Sequence, residues 1–397
     1  MNSALTLYLE INNSNYVFFV GESDEQNNVK IAYELEIPLK GIEDNRILDL
    51  ENIYITIKEN IYVIEQNFKH TFKEVIVILD NLNPTFLNVS GYKKLNGTQI
   101  LRENITYILN NLKSYINFIE TKKTILHIFN SNFCLDNKKI DNLPIGLFGD
   151  FYSHELSFVL INSNDYKNLI QILGKCGLKV KKILIKSFVK GAYINAVNKN
   201  SETFFQIRIG RNNSKILYFE NNSLKSEQIF KFGTNIILKD ISKITLLKTD
   251  TIELILKDIE FKNNIHDEEL LEEKFFEGKT YRKIKKKLIY DIAFARVHEI
   301  LELIIFKNIN FIKYSYISKM IFLEIDEVTK LKGLNIIFQK VFSKNEGFDM
   351  NLQNNLSIEN ILSTAHKLVH FGWKKEAIPT SQTKKTLIRR LFDTIFN

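Results

Sequence analysis

The chain contains little cysteine, proline or glycine, and each shortage excludes a class of protein. Its 397 residues include 2 cysteines, 4 prolines and 15 glycines. Cys134 and Cys176 lack the spacing of a disulfide framework or a zinc site, so we expect two buried, reduced thiols. The scarcity of proline and glycine argues against long flexible linkers.

Long apolar runs and enzyme motifs are absent as well. No stretch reaches the ~18 consecutive apolar residues of a membrane-spanning helix, and the first residues do not predict a signal peptide. We find no Walker loop, no nucleophile elbow and no catalytic carboxylate pair. The 7 histidines show no metal-binding pattern. The sequence therefore predicts neither an enzyme nor a metal protein.

The remaining composition is typical of a folded protein. Apolar residues make up 45% and charged residues 25%, and the length predicts two or three domains. The net charge of +8, from 54 basic and 46 acidic residues, suits an anionic membrane surface or an acidic partner. This excess is too diffuse to predict nucleic-acid binding.

Two similar β-hairpins are predicted, one near the start of each half of the chain. Apolar, β-rich residues at 5–11 and 16–21 flank one polar turn, and those at 204–210 and 215–219 flank another. The pattern indicates either an internal duplication or two unrelated hairpins. Two related halves of mixed strands and helices describe the actin/hexokinase architecture, in which the hairpin turns grip the phosphates of a nucleotide.

Apolar periodicity predicts five further elements. Residues 75–79 predict a buried strand, whereas 105–119, 165–173, 250–259 and 288–306 have the apolar spacing of helices. This mixture of strands and helices fits an α/β fold.

The segment from Leu126 to Gly149 carries a family resemblance. It contains a leucine–histidine strand at 126–128, an aspartate turn at Asp136 and the sequence Asn142-Leu143-Pro144-Ile145-Gly146-Leu147-Phe148-Gly149. This order resembles the inserted subdomain of the FtsA cell-division family. Gly233-Thr234-Asn235 and Asp240-Ile241 resemble a later motif of the same family, so the resemblance covers nearly the whole chain.

The resemblance implies a bilobed, actin-like (actin/hexokinase) α/β fold with an inserted α/β subdomain and a C-terminal amphipathic helix. The expected parts are a first lobe at 1–82 and 163–190, rejoined by about 358–376; an inserted subdomain at 83–162; a second lobe at 191–357, with a partner-binding helical part at about 246–313; a linker at 377–383; and a membrane-targeting helix at 384–397.

The nucleotide motifs of the family are altered in this chain. Asparagines replace the glycine, threonine and lysine of the first phosphate loop, and the two aspartates of the second loop have become Arg208 and Lys215. Lost glycines obstruct the approach of backbone amides to a phosphate, and the two cations would repel a divalent metal ion. The altered site comprises Glu10, Asn12, Asn13, Arg208, Gly210, Arg211, Asn212, Lys215, Gly233, Asp326 and Glu327.

Three interpretations of this site stay open. The cations could pair with Glu10, Asp326 or Glu327 and close the cleft without a nucleotide. They could also bind phosphates directly, or the site could still hydrolyse ATP with magnesium. We favour the first, a pseudo-ATPase without a cofactor, because two or three charge reversals, each worth roughly 4 kcal/mol, would erase micromolar binding.

The last residues predict a membrane anchor. Apolar side chains spaced one, three, one, three and one apart form one helical face, and four cations flank it. The predicted membrane-binding residues are Lys384, Lys385, Leu387, Ile388, Arg389, Arg390, Leu391, Phe392, Ile395 and Phe396. The alternative is a helix that docks on the protein itself or on another protein.

The resemblance also implies partners and a location. These are the C-terminal tail of FtsZ, further copies of the chain, later division proteins and an anionic membrane, at the cytoplasmic face of the bacterial inner membrane at the division site. Candidate FtsZ-binding residues are Arg296, Glu299 and Lys283, although a solvated basic surface also explains the lysines. The rival functions are an active actin-like ATPase, a pilus-assembly adaptor of the PilM type, which lacks a terminal anchor, and a soluble interaction protein.

Overall fold

A computed structural model describes residues 4–198, 201–258, 267–276, 280–325, 334–343, 347–353 and 356–377. The strands in these ranges are β1 (Ala4–Ile11), β2 (Asn15–Ser23), β3 (Val29–Pro38), β4 (Ile42–Glu43), β5 (Arg46–Ile47), β6 (Glu74–Leu79), β7 (Thr85–Lys94), β8 (Lys123–Leu135), β9 (Lys138–Ile140), β10 (Phe151–Asn162), β11 (Lys179–Ile185), β12 (Phe204–Ile209), β13 (Ser214–Glu220), β14 (Ser223–Phe230), β15 (Met320–Ile325) and β16 (Asp349–Gln353). The helices are α1 (Leu50–Phe68), α2 (Arg102–Ile119), α3 (Ser163–Lys175), α4 (Lys186–Val197), α5 (Asn235–Thr245), α6 (Thr249–Asp258), α7 (Lys286–Leu301), α8 (Ile309–Ser315), α9 (Leu334–Ser343) and α10 (Ile358–His370).

The described residues form two compact units. The first unit contains the described residues of Met1–Glu202, Phe219–Ser226 and Leu356–Asn397. The second unit contains the described residues of Thr203–Tyr218 and Glu227–Asn355.

The first unit is built on a five-stranded sheet with the order β11-β6-β1-β2-β3. β1, β2 and β3 form an antiparallel meander, and β6 and β11 run parallel to β1. β6 reads Glu-Val-Ile-Val-Ile-Leu and is buried after its first residue, which is typical of a parallel strand covered on both faces. The predicted hairpin and the predicted strand at 75–79 are therefore confirmed.

The sheet of the second unit repeats this strand order. It runs β14-β13-β12-β15-β16, with β15 parallel to β12 and β16 parallel to β15. A hairpin meander followed by two parallel strands occurs in both sheets, as an internal duplication requires. The second hairpin predicted from the sequence is confirmed.

A separate four-stranded sheet lies in the chain between β6 and α3. Its order is β7-β10-β8-β9, and α2 packs against it. The contact is close because a Cβ added to Gly91 of β7 would lie 2.6 Å from Ile108 of α2. Asp136 ends β8 with a positive φ of 50°, and its carboxylate accepts hydrogen bonds from the amides of Asp150 and Phe151. The aspartate turn predicted from the sequence is therefore hydrogen-bonded to the start of β10.

The predicted helices are present, with one difference. Residues 105–119 and 165–173 lie within α2 and α3, and α6 ends at Asp258, the last described residue of that segment. The helix predicted at 288–306 is α7 followed by a π-helical turn at Glu302–Phe306. Cys134 and Cys176 are free but only half-buried, so the expected burial was wrong. Within the described ranges, no helix has both the length and the apolar character to cross a membrane.

Candidate functional site

The turn between β1 and β2 is stabilised by hydrogen bonds to one of its own side chains. Oδ1 of Asn12 accepts hydrogen bonds from the amides of Ser14, at 2.9 Å, and Asn15, at 2.7 Å. Nδ2 of Asn81 donates to the carbonyl of Asn12 at 3.2 Å, while Asn13 is exposed. Two amides of the expected phosphate loop are therefore already satisfied by a carboxamide.

A lysine neutralises the acidic groups beside this turn. Glu10 lies in β1, Asp80 directly follows β6, and Lys186 directly follows β11. Because these strands are parallel neighbours, their carboxyl ends meet at one edge of the sheet. Nζ of Lys186 lies 2.6 Å from Glu10 and 3.9 Å from Asp80. An ammonium group thus occupies the place where carboxylates would otherwise attract a cation.

The turn between β12 and β13 is packed against the start of α5. The amides of Thr234 and Asn235 donate to the carbonyls of Gly210 and Arg211, each at 2.9 Å. A Cβ added to Gly233 would lie 2.1 Å from the Gly210 carbonyl oxygen, so only glycine permits this approach. The first amides of α5, which could hold an anion, are directed at the turn itself.

Side chains reinforce this second turn. Nε of Arg211 donates to Oδ1 of Asn235 at 2.9 Å, and its guanidinium also pairs with Glu253. Nδ2 of Asn235 donates to Oδ1 of Asn212 at 2.6 Å. Arg211 and Asn212 therefore stabilise the turn through contacts within the second unit.

Arg208 and Lys215, the two cations predicted for the second loop, both have acidic neighbours. Nε of Arg208 lies 3.6 Å from Oε1 of Glu324 on the adjacent strand β15. Nζ of Lys215 lies 3.5 Å from Glu227, and both of these side chains are largely buried. Glu324 and Glu227 were not among the partners named from the sequence. Asp326 and Glu327, which were, lie outside the described residues.

These contacts fit a magnesium-bound nucleotide poorly. A triphosphate needs open backbone amides and a metal ion held by carboxylates. In the first unit, Asn12 accepts hydrogen bonds from the amides of its own turn, and Lys186 pairs with Glu10. Glu10 and Lys186 would have to separate before a divalent ion could approach.

The predicted partner-binding region is rich in internal ion pairs. Arg296 pairs with Asp240 and, at 2.6 Å, with Glu299. Lys283 is exposed. Arg296 therefore connects α7 to α5, and the motif residue Asp240 has a structural role in that connection.

The lysines that follow Lys283 are paired with an acidic run. Lys285, Lys286 and Lys287 contact Glu268, Glu269 and Asp267 respectively. These pairs are largely exposed, so each adds little stability. They nevertheless cancel much of the positive charge that the sequence suggested for an acidic partner.

The last described residues are fixed to the inserted sheet. Glu376 forms a bridge with Phe129 of β8. Its carboxylate contacts Lys182 of β11 at 2.6 Å and Nδ1 of His127 at 3.0 Å. The predicted membrane-binding residues at 384–397 lie outside the described residues.

The residues that sequence reasoning missed include Lys186 and Glu376. A signal for Lys186 exists, because a cation directly follows a buried parallel strand, where the carboxyl ends of such strands meet. Glu376 offers no comparable signal, since its partners lie on strands far away in the sequence.

The two sheets of the same strand order define an actin-like α/β fold. The solved PilM-PilN type IV pilus biogenesis complex contains a chain with this fold, at a TM-score of 0.51 and 10% identity over 94% of this chain and 99% of that one. At that identity, the likeness concerns the fold alone. No protein-family model matches the chain.

Curated relatives carry the name cell division protein FtsA. That of Buchnera aphidicola subsp. Schizaphis graminum is 24% identical over 61% of this chain and 57% of its own length. Those of Neisseria meningitidis and Bacillus subtilis are 21% and 20% identical over 74% and 76% of this chain, and 70% and 69% of their own lengths. The chain is a divergent relative of FtsA, although it spans less than two thirds of the Buchnera protein that it matches.

Proposed function

We propose that this protein is a bacterial cell-division adaptor that tethers FtsZ filaments to the cytoplasmic face of the membrane without needing ATP. The relationship to FtsA supports the division role. The pairing of Lys186 with Glu10 carries the proposal of nucleotide independence. A cation from the chain itself neutralises the acidic group that would otherwise require an external one, so this edge of the sheet is stable without a ligand.

The amphipathic sequence at 384–397 is the proposed membrane anchor. A single short helix binds a membrane weakly and reversibly, and each Lys or Arg adds only about 1 kcal/mol near an anionic leaflet. Self-association of the actin-like body would place many anchors on one surface and multiply their effect. In this proposal the inserted subdomain at 83–162 contacts neighbouring copies and later division proteins.

The proposed docking surface for the FtsZ tail lies around Lys283 and the exposed side of α7. Lys283 is exposed, and Glu299 lies at the rim. Arg296 acts indirectly, because its pairing with Asp240 fixes α7 against α5. A Lys283→Glu variant should weaken FtsZ binding, whereas Lys30→Glu, a matched charge reversal at another exposed lysine, should not.

Co-sedimentation with anionic liposomes and purified FtsZ tests the tether. We expect the full chain to carry FtsZ into the pellet, and a chain that ends at Thr383 to leave both proteins in the supernatant. The result should be the same with and without Mg-ATP. If neither chain pellets with liposomes, the tether proposal is wrong, and a soluble interaction protein or a PilM-like adaptor becomes the better account.

Matched variants separate the anchor from a nonspecific charge effect. Ile395→Glu places a charge in the middle of the apolar face and should abolish pelleting with liposomes. Thr386→Glu adds the same charge on the opposite face of the helix and should retain most of the binding. Equal losses in both variants would indicate simple charge attraction and contradict an inserted helix.

A further inference from the structure

One edge of β8 is completed by residues from other parts of the chain. β8 runs from Lys123 to Leu135, but β9 pairs with only its last three residues, from Phe133 on. Farther back along β8, the amide of Asn130 donates to the carbonyl of Lys375, and the amide of Ala377 donates to the carbonyl of Ile128, both at 2.7 Å. Lys375–Ala377 therefore acts as a short added strand that covers an otherwise open edge.

The middle residue of this added strand has a buried charge. The side chains of Glu376 and Lys182 are each 1% exposed, and that of His127 is fully buried. Although burial raises it, the pKa of Glu376 is lowered to about 2 by Lys182 and His127. Burial also lowers the pKa of His127, so the neutral ring donates from Nδ1 to the carboxylate. In the docked segment Glu376 is ionised, and its two carboxylate oxygens contact His127 and Lys182.

Neighbouring contacts hold the segment on both sides. Nε1 of Trp373 donates to the carbonyl of Asn222 at 2.8 Å. Oγ of Ser223 donates to the carbonyl of Asn130 at 2.7 Å, so the β13–β14 turn lies against the same part of β8. The inserted sheet, strand β11, this turn and the end of the described chain meet at one point.

We propose that Glu376 is the positioning residue of the C-terminal anchor, because its pairing with Lys182 and His127 fixes Lys375–Ala377 on the inserted sheet. The tail then leaves the protein from the inserted subdomain, and undocking it exposes the edge of β8 at residues 128–130. The docking is a property of the isolated protein. Only the consequence for membrane attachment rests on the proposed function.

Hydrogen exchange followed by mass spectrometry, on the full chain without lipid, tests the docking. In Glu376→Leu, Lys182 keeps its charge without its partner. We expect the peptides that contain Ala377 and Asn130 to exchange at least about tenfold faster, since undocking removes their amide bonds. Peptides from β6 should keep their protection, which separates local undocking from global unfolding.

Two controls make the test specific. Lys374→Leu alters the residue that immediately precedes the segment, whose ion pair with Glu202 is about half exposed, and should leave the exchange of both peptides unchanged. The double variant Lys182→Met/Glu376→Leu removes both charges and should regain much of the protection.

If Glu376→Leu does not fold, Glu376→Asp retains the charge on a shorter side chain and should give a smaller acceleration at the same two peptides. If the variant that folds exchanges at these two peptides as slowly as the unaltered chain, the proposal is overturned. A double variant that exchanges as fast as Glu376→Leu would also overturn it. Because no membrane is present, either result is independent of the tether experiment.

Discussion

Nζ of Lys186 lies 2.6 Å from Oε1 of Glu10, although the two residues are 176 positions apart in the sequence. Both side chains are largely buried, so the pair is less screened by solvent than a surface ion pair. The ammonium of Lys186 therefore neutralises the carboxylate of Glu10. Three predictions concern this site and its surroundings, and a fourth concerns the inserted sheet.

Removing the lysine should destabilise the protein through the carboxylate left behind. Lys186→Met keeps the length of the side chain, and we expect it to lower the free energy of unfolding by about 2 kcal/mol. In the double variant Lys186→Met/Glu10→Gln, the loss of unfolding free energy should be smaller than the sum of the losses in the two single variants. Urea denaturation of the four proteins measures this coupling.

Lys181→Met is the matched control for this cycle. Its ammonium lies 3.7 Å from Glu74, and both groups are about one-third to one-half exposed. An exposed pair of this kind contributes about 0–1 kcal/mol. A coupling energy of zero between Glu10 and Lys186 would contradict the structural role assigned to their contact.

Mg-ATP should not bind measurably at concentrations up to about 1 mM, which corresponds to a binding free energy weaker than about −4 kcal/mol. The reason is that Asn12 and Lys186 already satisfy the groups that would hold phosphate and metal. Isothermal titration calorimetry checks this directly. Micromolar affinity that disappears in Arg208→Ala would instead favour direct phosphate binding by that cation.

Local periodicity was enough to predict much of the fold. The hairpins at β1–β2 and β12–β13, the buried strand β6 and the helices α2 and α3 each follow from apolar spacing within a short window. The repeated strand order of the two sheets could only be suggested, because strand pairing depends on contacts between distant segments. The π-helical turn at Glu302–Phe306 gave no signal, since its apolar residues continue the pattern of α7.

The candidate site was predicted in composition but not in detail. The resemblance predicts that glycines and aspartates of the family motifs are replaced, and this stays a prediction. It does not show that Oδ1 of Asn12 turns back onto its own loop, because that contact depends on the backbone conformation of the turn. Arg208 and Lys215 were expected to find acidic partners, and the identity of Glu227 depends on the register of β14 against β13, which periodicity does not specify.

A close contact within the first unit should make one helical glycine irreplaceable. A Cβ added to Gly191 of α4 would lie 1.8 Å from Cζ of Phe219, a buried ring. We expect Gly191→Ala to lower the free energy of unfolding by about 1–3 kcal/mol through overpacking. Thermal and urea unfolding measure the effect.

Gly174 of α3 supplies the opposite case in the same unit. No atom lies within 4 Å of a Cβ added there, so Gly174→Ala should be neutral or stabilise the protein by up to about 1 kcal/mol. Equal stability of Gly191→Ala and Gly174→Ala would contradict the close packing of Phe219 against α4.

His154 should make the protein sensitive to mild acid. It lies buried in β10, and neither ring nitrogen has a hydrogen-bond partner among the described residues. Burial, assisted by the positive charge of Lys375, lowers the pKa of His154 to about 3, against a smaller raising effect of Glu155. The folded protein therefore keeps a neutral ring where the unfolded chain would take up a proton.

The direction of the effect follows from proton uptake. Below the unfolded pKa of about 6.5, the unfolded state binds more protons than the folded state, so stability falls as the pH decreases toward about 3. As the pH falls from about 7 to about 5, His154 should lower the free energy of unfolding by about 2 kcal/mol. His154→Phe should not show this part of the decrease. His366, whose pKa burial lowers to about 4, contributes equally in both proteins. His70→Phe, at an exposed site, is the substitution control for His154→Phe. If the free energy of unfolding decreased equally between about pH 7 and pH 5 in the unaltered chain and in His154→Phe, the ring of His154 would be protonated or partnered in the folded state.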